Sequence, residues 1–369
     1  MVIAHHSSLA YTTFASFNKE HMFRSTAPVV DSARWIFFDY AENFNDTFFM
    51  SLMFFISGLF VYSALRKHGT PSFIRDRILR LGVPFAFAVI FLMPVAYYAS
   101  WQLTGHSIGF IDFYKQVAGF GFAAGPPWFI WVLLSFDLIL AVLLLPFQRW
   151  LPAVGRFMQR LGHHTVAAFV AMFLLAVAVS LPLLAHFGPS AWTYILVPAF
   201  SFQISRIGLY ALWFAFGVCV GIPGISAGLL SRQGGLTRHW MFWMAGCILT
   251  YNALWFIPRS AAYHRFPETV QGLVWALLWI ASCVASSFAF LALFRGIILT
   301  SRNRMNSLAR SAYIMYLVHY VYITWTQRLM LNLPIHAVFK FLFVFLSTTA
   351  LSWLTAQILL RIPRLKVIL

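Results

Sequence analysis

The chain has 369 residues, of which 61% are hydrophobic and only 9% are charged. A soluble domain carries about 25% charged and about 45–50% apolar residues, so the composition excludes an ordinary water-soluble enzyme and a disordered chain. The net charge of +17 is typical of some nucleic-acid-binding proteins, but here the Lys and Arg residues form short runs between long apolar segments. That arrangement indicates a polytopic membrane protein in contact with lipid, and no nucleic-acid partner is expected.

Nine segments contain the roughly 20 mostly apolar residues that a membrane-spanning helix needs. They are predicted at residues 45–65, 81–101, 127–147, 165–187, 203–222, 239–258, 269–294, 311–328 and 336–360. Residues 1–17 are also apolar, but they are too few for a span and lack the basic start of a signal peptide. We interpret them as the outer part of a first helix that begins upstream of Met1. The prediction is a single all-α domain, residues 1–369, with about ten transmembrane helices.

The basic residues predict the orientation of these helices. Most of the 26 Lys and Arg residues lie in the connections around 66–80, 149–160, 232–238 and 295–310 and in the tail 361–366. Most acidic residues lie in the other connections. By the positive-inside rule, the basic connections face the cytoplasm.

His5 and His6 interrupt the first apolar segment. An ionisable side chain at membrane depth is costly and is therefore a candidate for function. Imidazole is also the side chain that exchanges protons near neutral pH. The residues alone leave two interpretations open, a proton-transfer group or a helix end near the lipid headgroups.

Arg77 and Arg80 lie three residues apart on the helix that enters the membrane, so both are expected on one side of it. Two guanidinium groups in this arrangement can bind a phosphate or a pyrophosphate. Simple anchoring to anionic lipid is the commoner role of such runs. The residues alone favour that simpler role.

Other polar or aromatic residues also interrupt the apolar pattern. Trp128 begins a span after two prolines, which a helix start and an interfacial aromatic belt explain. Asp137 is the only acid deep in a span and is expected to pair with a buried Arg or His. Three polar residues lie at the start of the first full span, Asn43, Asn45 and Asp46. At least one of them is predicted to be the N-cap of that helix.

A polar-aromatic stripe recurs at three- and four-residue steps in the span 311–328. Such a face is expected to line the interior of the bundle, where it either lines a substrate tunnel or makes helix–helix hydrogen bonds. Its members are Tyr313, Tyr316, His319 and Tyr320.

The chain lacks several common catalytic motifs. It has no phosphate-binding glycine loop, nucleophile elbow or metal-spaced His/Cys set, so no metal is expected. Each of the three cysteines lies in an apolar segment, where Cys behaves as a small hydrophobic residue. A transferase without a nucleophile of its own would rely on attack by the acceptor alcohol, with the protein supplying a base and positioning.

Taken together, several stretches resemble the membrane-bound acyltransferase-3 family, and the resemblance covers essentially the whole chain. The first is His5-His-Ser-Ser-Leu-Ala-Tyr11, and the last is Ser311-Ala-Tyr-Ile-Met-Tyr-Leu-Val-His319, which looks like the closing Tyr-x-x-His helix of the family. Between them lie Phe54-Phe-Ile-Ser-Gly-Leu-Phe60, the run from Phe73 to Pro84, and Gly125-Pro-Pro-Trp-Phe-Ile130. The first two stretches in chain order also resemble the branch that succinylates periplasmic glucans.

The resemblance implies a multi-pass protein of the bacterial inner membrane. Acyl-CoA, as acetyl-CoA or succinyl-CoA, would be the co-substrate from the cytoplasm, and the acceptor would be a hydroxyl of an extracytoplasmic glycan or a similar molecule. The catalytic histidine of the family would be His6, with His5 as its close competitor and His319 as a lesser candidate. Arg77 and Arg80 would contact the donor phosphates. Further candidates for the tunnel or the acceptor side are Trp128, Tyr316 and Asp137.

One departure from the family pattern concerns the amino end. The family has an Arg about eleven residues before its catalytic His, and counting back from His6 ends before Met1.

Two rival functions also remain, a transporter or flippase that moves a small molecule or a lipid-linked sugar, and a non-catalytic scaffold. The sequence shows no repeated half and no matched pair of broken spans, which are typical of transporters.

Overall fold

The computed structural model describes residues 1–106, 108–297 and 303–363, with the side chains of 303–305 excepted. The described chain is almost wholly helical, with one short antiparallel strand pair, β1 (Thr193–Tyr194) and β2 (Ser201–Phe202). Its α-helices, in chain order, are α1 (Val2–Leu9), α2 (Ile36–Gly58), α3 (Val61–His68), α4 (Thr70–Arg77), α5 (Val83–Phe87), α6 (Met93–Trp101), α7 (Phe110–Gly119), α8 (Trp128–Phe147), α9 (Leu151–Leu161), α10 (Thr165–Phe187), α11 (Ile207–Gly221), α12 (Gly235–Arg238), α13 (Trp240–Phe256), α14 (Glu268–Ile297), α15 (Asn303–Met330) and α16 (Ala337–Leu359).

The predicted all-α membrane fold is confirmed. Among the described residues, eight helical segments are long and apolar enough to cross a membrane. The ninth predicted span, 311–328, lies within α15, which is long enough but too polar to be counted with them. α1 has eight residues, so the described helix is short of a span. The basic connection 295–310 and the tail 361–366 lie partly outside the described residues.

The two largest apolar clusters of the described residues both contain side chains of α2. The larger one packs around Trp213 and Phe288 and joins α2 to α10, α11, α13 and α14. The second packs around Phe54 and Phe129 and joins α2 to α8 and α11. α2 is therefore the central helix of the bundle.

Glycines bring α2 and α11 into close contact. A Cβ added at Gly217 would lie 2.1 Å from the carbonyl oxygen of Phe55, and one added at Gly221 would lie 2.2 Å from that of Leu59. Small residues four apart allow helix backbones to approach closely in a membrane, where packing rather than the hydrophobic effect drives association. This contact fixes the position of α2, which carries acidic side chains of the site described below.

The helical run from α4 to α6 contains two π-helical turns, Ile78–Gly82 and Ala88–Leu92. Pro84 has no N–H to donate to the carbonyl of Arg80, four residues earlier. The hydroxyl of Tyr313 donates to that carbonyl instead, at 2.7 Å. α15 is thereby attached to the basic end of this run.

Neighbouring elements hold the short helix α1 in place. The last carbonyls of a helix lack partners within it, and Gln327 Nε2 donates to the carbonyl oxygen of His6 at 2.9 Å and lies 3.4 Å from that of Ser7. The connection from α1 to α2 is anchored in turn to α16 by a buried ion pair, in which Lys340 Nζ lies 2.6 Å from Asp31 Oδ2.

Candidate active site

A cavity of about 160 Å³ lies near the start of α8, at the end of the bundle predicted to face outward. We call it the outer cavity. Four of the predicted candidates line it, and they come from three helices; these are His5, His6, Trp128 and Tyr316. The other four candidates, His319, Arg77, Arg80 and Asp137, are not among its lining residues.

His6 faces His319 where α1 packs against α15. Their ring centroids are 5.4 Å apart, and the ring of Tyr320 lies 5.1 Å from that of His6. Within the described part of the chain, His6 Nδ1 and His319 Nε2 are buried and have no hydrogen-bond partner. A ring nitrogen with unused bonding capacity is suited to proton transfer.

His319 is fully buried, and its other ring nitrogen has a partner. Its Nδ1 lies 2.5 Å from the carbonyl oxygen of Tyr316, to which it donates. In the neutral ring, Nε2 is then the acceptor nitrogen. The structure therefore places a second imidazole, with a defined tautomer, behind His6.

His5 has a carboxylate partner that the sequence did not reveal. Its Nδ1 lies 2.9 Å from Glu42 Oε1, a contact within ion-pair distance rather than an aligned hydrogen bond. Ser8 Oγ donates to the other carboxylate oxygen at 2.9 Å. Hydropathy places Glu42 outside the apolar spans, although its spacing from Asp39 and Asp46 places all three carboxylates on one face of α2.

The other two carboxylates of this face also have partners. Asp39 accepts hydrogen bonds from the backbone N–H and the hydroxyl of Thr13. Asp46, which lines the outer cavity, lies 2.8 Å from Arg206 Nη1. Arg206 is buried, and its guanidinium lies over the ring of Trp279 at 4.8 Å.

The predicted N-cap at the start of the first full span is wrong. α2 begins at Ile36 with Trp35 as its N-cap and no side-chain cap. The three polar candidates lie two to three turns inside the helix. Hydropathy placed the start too late because the first turns of α2 carry carboxylates that find partners within the bundle. The three are Asn43, Asn45 and Asp46.

Arg77 and Arg80 lie in different environments. Arg77 Nε lies 3.2 Å from Asp137 Oδ2, and its guanidinium lies 4.8 Å from the ring centroid of Phe73. Arg77 is therefore the partner that Asp137 was expected to have. Arg80 is exposed, because it lies in a π-helical turn whose angular spacing differs from that of the α-helix assumed for the pair.

Asp137 lies deeper than the outer cavity. It is nine residues along α8 from Trp128, which corresponds to roughly 14 Å at the helical rise of 1.5 Å per residue. The structure therefore places this candidate with Arg77 rather than with the residues that line the cavity.

The polar-aromatic stripe of α15 connects these two regions. Tyr313 donates to the carbonyl of Arg80, and one turn later Tyr316 donates to that of Pro126 and lines the outer cavity. His319, a further turn along, contacts His6. Tyr313 makes a hydrogen bond between helical elements, as one interpretation of the stripe expected, and Tyr316 lines the outer cavity. A substrate tunnel along the stripe stays a prediction.

No group of three or more His, Cys, Asp or Glu residues with metal-ligand geometry occurs in the described ranges. The three cysteines are free thiols. The chemistry that the site offers therefore centres on imidazole, carboxylate and guanidinium groups.

Comparison with known proteins identifies the family. The acyltransferase-3 family model, described as an acyltransferase domain, matches residues 1–357. Searches of curated proteins and of solved structures returned no significant match. With a family match over nearly the whole chain, and with eight helical segments in its described part that are able to cross a membrane, the protein belongs to the acyltransferase-3 family and is an integral, multi-pass membrane acyltransferase.

Proposed function

We propose that this protein transfers an acetyl or succinyl group from cytoplasmic acyl-CoA to a hydroxyl of an extracytoplasmic glycan or a similar acceptor, in the bacterial inner membrane. The observation that carries the proposal is the position of His6, which lines the outer cavity and whose ring faces His319. Its Nδ1 is buried and has no hydrogen-bond partner among the described residues. A general base must lie within reach of the proton that it removes.

In the proposed reaction, His6 accepts the hydroxyl proton as the acceptor oxygen attacks the thioester carbonyl. A C–O bond forms, and the C=O electron pair moves onto the carbonyl oxygen. The intermediate then collapses, the C–S bond breaks, and His6 returns the proton to the leaving thiolate. The products are the acyl ester and CoA, and the protein forms no covalent intermediate.

Arg77 and Arg80 are proposed to contact the donor phosphates at the inner side. A hydrogen bond to a charged group contributes about 1.5–3 kcal/mol. The pair with Asp137 and the contact with Phe73 restrict the guanidinium of Arg77 before the donor arrives. The stripe of α15 lies along the route from these arginines to His6.

The test uses purified protein, radiolabelled acetyl-CoA or succinyl-CoA and a glycan acceptor. Loss of a general base costs about 10²–10⁴ in rate, so His6→Ala is expected to abolish detectable transfer while the protein still inserts and purifies. His186→Ala is the matched control, because this imidazole is exposed near the end of α10, outside the site. Unchanged transfer by His6→Ala would refute the base assignment. If the wild-type protein consumed no acyl-CoA, the transporter function would be favoured instead.

A further inference from the structure

We infer that Glu42 and His5 form a second functional pair, in which Glu42 stabilises the doubly protonated ring of His5, and the Nε2–H of that ring donates a hydrogen bond to the oxyanion that forms on the thioester carbonyl. Glu42 is then a positioning residue and His5 a catalytic one. This inference rests on the proposed function and adds an oxyanion-stabilising group to it.

The contact between the two side chains requires a proton. His5 Nδ1 and Glu42 Oε1 are 2.9 Å apart, and two lone pairs would repel at that distance. The Glu42 side chain is only 4% exposed, and its second oxygen accepts the hydroxyl of Ser8. A buried carboxylate needs such partners, because an uncompensated charge in the interior is strongly destabilising.

The same contact determines which edge of the His5 ring remains available. Nδ1 is occupied by Glu42, so Nε2, on the opposite edge, is the ring nitrogen left for a ligand. His5 lines the outer cavity and its side chain is 22% exposed, which gives a bound acyl group access to it. The ring of His6 lies beside it, with the centroids 5.0 Å apart and the planes at 81°.

The two neighbouring imidazoles therefore have different surroundings. His6 is half-buried beside the rings of His319 and Tyr320 and has no carboxylate partner among the described residues, which favours the neutral ring that acts as a base. His5 faces a carboxylate, which favours the protonated ring that acts as a donor. Environments that separate two like groups in this way are a common means of assigning acid and base roles. Other charged or titratable groups near His5 are Asp46 on α2, His319 on α15 and the amino group of Met1.

The inferred step balances without any additional reactant. While His6 takes the proton of the acceptor hydroxyl, the carbonyl oxygen gains the electron pair and is stabilised by the N–H of His5. When the C–S bond breaks, that electron pair re-forms the C=O bond. His5 keeps both of its ring protons throughout, Nδ1–H towards Glu42 and Nε2–H towards the oxyanion. A donor aimed at the developing oxyanion stabilises the transition state more than the substrate.

The test compares Glu42→Gln, Glu42→Asp and His5→Gln, with Asp39→Asn as the matched control. Asp39 is a buried carboxylate one turn earlier on the same face of α2, and its partner is Thr13 rather than an imidazole. Removal of an oxyanion donor costs about 10²–10³ in kcat. We expect that loss for Glu42→Gln and His5→Gln with the KM for acyl-CoA unchanged, partial recovery for Glu42→Asp, and a wild-type kcat for Asp39→Asn.

The thermal unfolding of each variant is measured in the same preparation, so that a structural role is distinguished from a catalytic one. The double variant Glu42→Gln/His5→Gln is expected to be no slower than either single variant, because groups that act as a unit are not additive. The inference is overturned if Glu42→Gln lowers the unfolding temperature but keeps the wild-type kcat, or if Asp39→Asn loses as much kcat as Glu42→Gln.

His6→Ala separates failure of the inference from failure of the proposed function. If His6→Ala is inactive and Glu42→Gln is fully active, only the inference fails. If His6→Ala is fully active, the proposed function itself fails.

Discussion

The pair between Arg77 and Asp137 gives a prediction whose magnitude follows from its burial. The side chain of Asp137 is 1% exposed and that of Arg77 is 25% exposed. Removal of one partner of a buried pair costs about 3–5 kcal/mol, because the other charge is left uncompensated. For Arg77→Gln, which strands the carboxylate in the interior, we expect a loss of about 3 kcal/mol in the free energy of unfolding.

Substitution of the other partner, Asp137, is expected to cost less free energy of unfolding. Asp137→Asn leaves a guanidinium that reaches water, so we expect a loss of about 1 kcal/mol, as for partly exposed pairs. Because the double variant leaves no buried charge unpaired, its loss should be about 2 kcal/mol rather than the sum of about 4, a coupling within the usual range for contacting residues.

Denaturant unfolding of the four proteins in mild detergent measures this cycle. The KM for acyl-CoA is measured in parallel, and Asp137→Asn is expected to raise it, since the guanidinium loses the partner that orients it. Losses that simply add in the double variant would contradict the proposed pairing. An unchanged KM in Asp137→Asn would show that Asp137 does not prepare Arg77 for the donor.

Two further predictions concern helix packing. Gly217→Ala places a methyl group against the carbonyl of Phe55, so a loss of at least about 3 kcal/mol in unfolding free energy is expected. Gly246→Ala, with nothing within 4 Å, should instead gain up to about 1 kcal/mol, and equal effects would exclude the close contact. Gln327→Leu leaves the carbonyls at the end of α1 without their donor, so hydrogen exchange in α1 should accelerate. Gln357→Leu, which removes a bond between α15 and α16, should leave that exchange unchanged.

The helices of the bundle were predictable because lipid requires long apolar segments with internally bonded backbones. The two candidate histidines of α1 could be singled out for the converse reason, since ionisable groups are rare at membrane depth. The start of α2 could not be predicted, because hydropathy treats Asp39 and Glu42 as residues in water. Only the folded chain shows that Thr13 and His5 satisfy their carboxylates.

The relative directions of Arg77 and Arg80 could not be predicted from α-helical spacing either. A spacing of three residues predicted one shared side, but the π-helical turn at Ile78–Gly82 changes the angular relation of Arg77 and Arg80. Pro84 was the available signal, because it removes the backbone bond to Arg80. The identity of the partner of Asp137 depends on contact between two distant helices, which spacing along the chain does not encode.

The most direct test of the central claim is acyl transfer across a membrane. The protein is reconstituted in vesicles, with labelled acyl-CoA on the side where Arg77 and Arg80 lie and the glycan acceptor on the opposite side. We predict that label reaches the acceptor with the wild-type protein and not with His6→Ala. Label that reaches the acceptor only when donor and acceptor share one side, or equally well with His6→Ala, would contradict a route through the bundle to this imidazole.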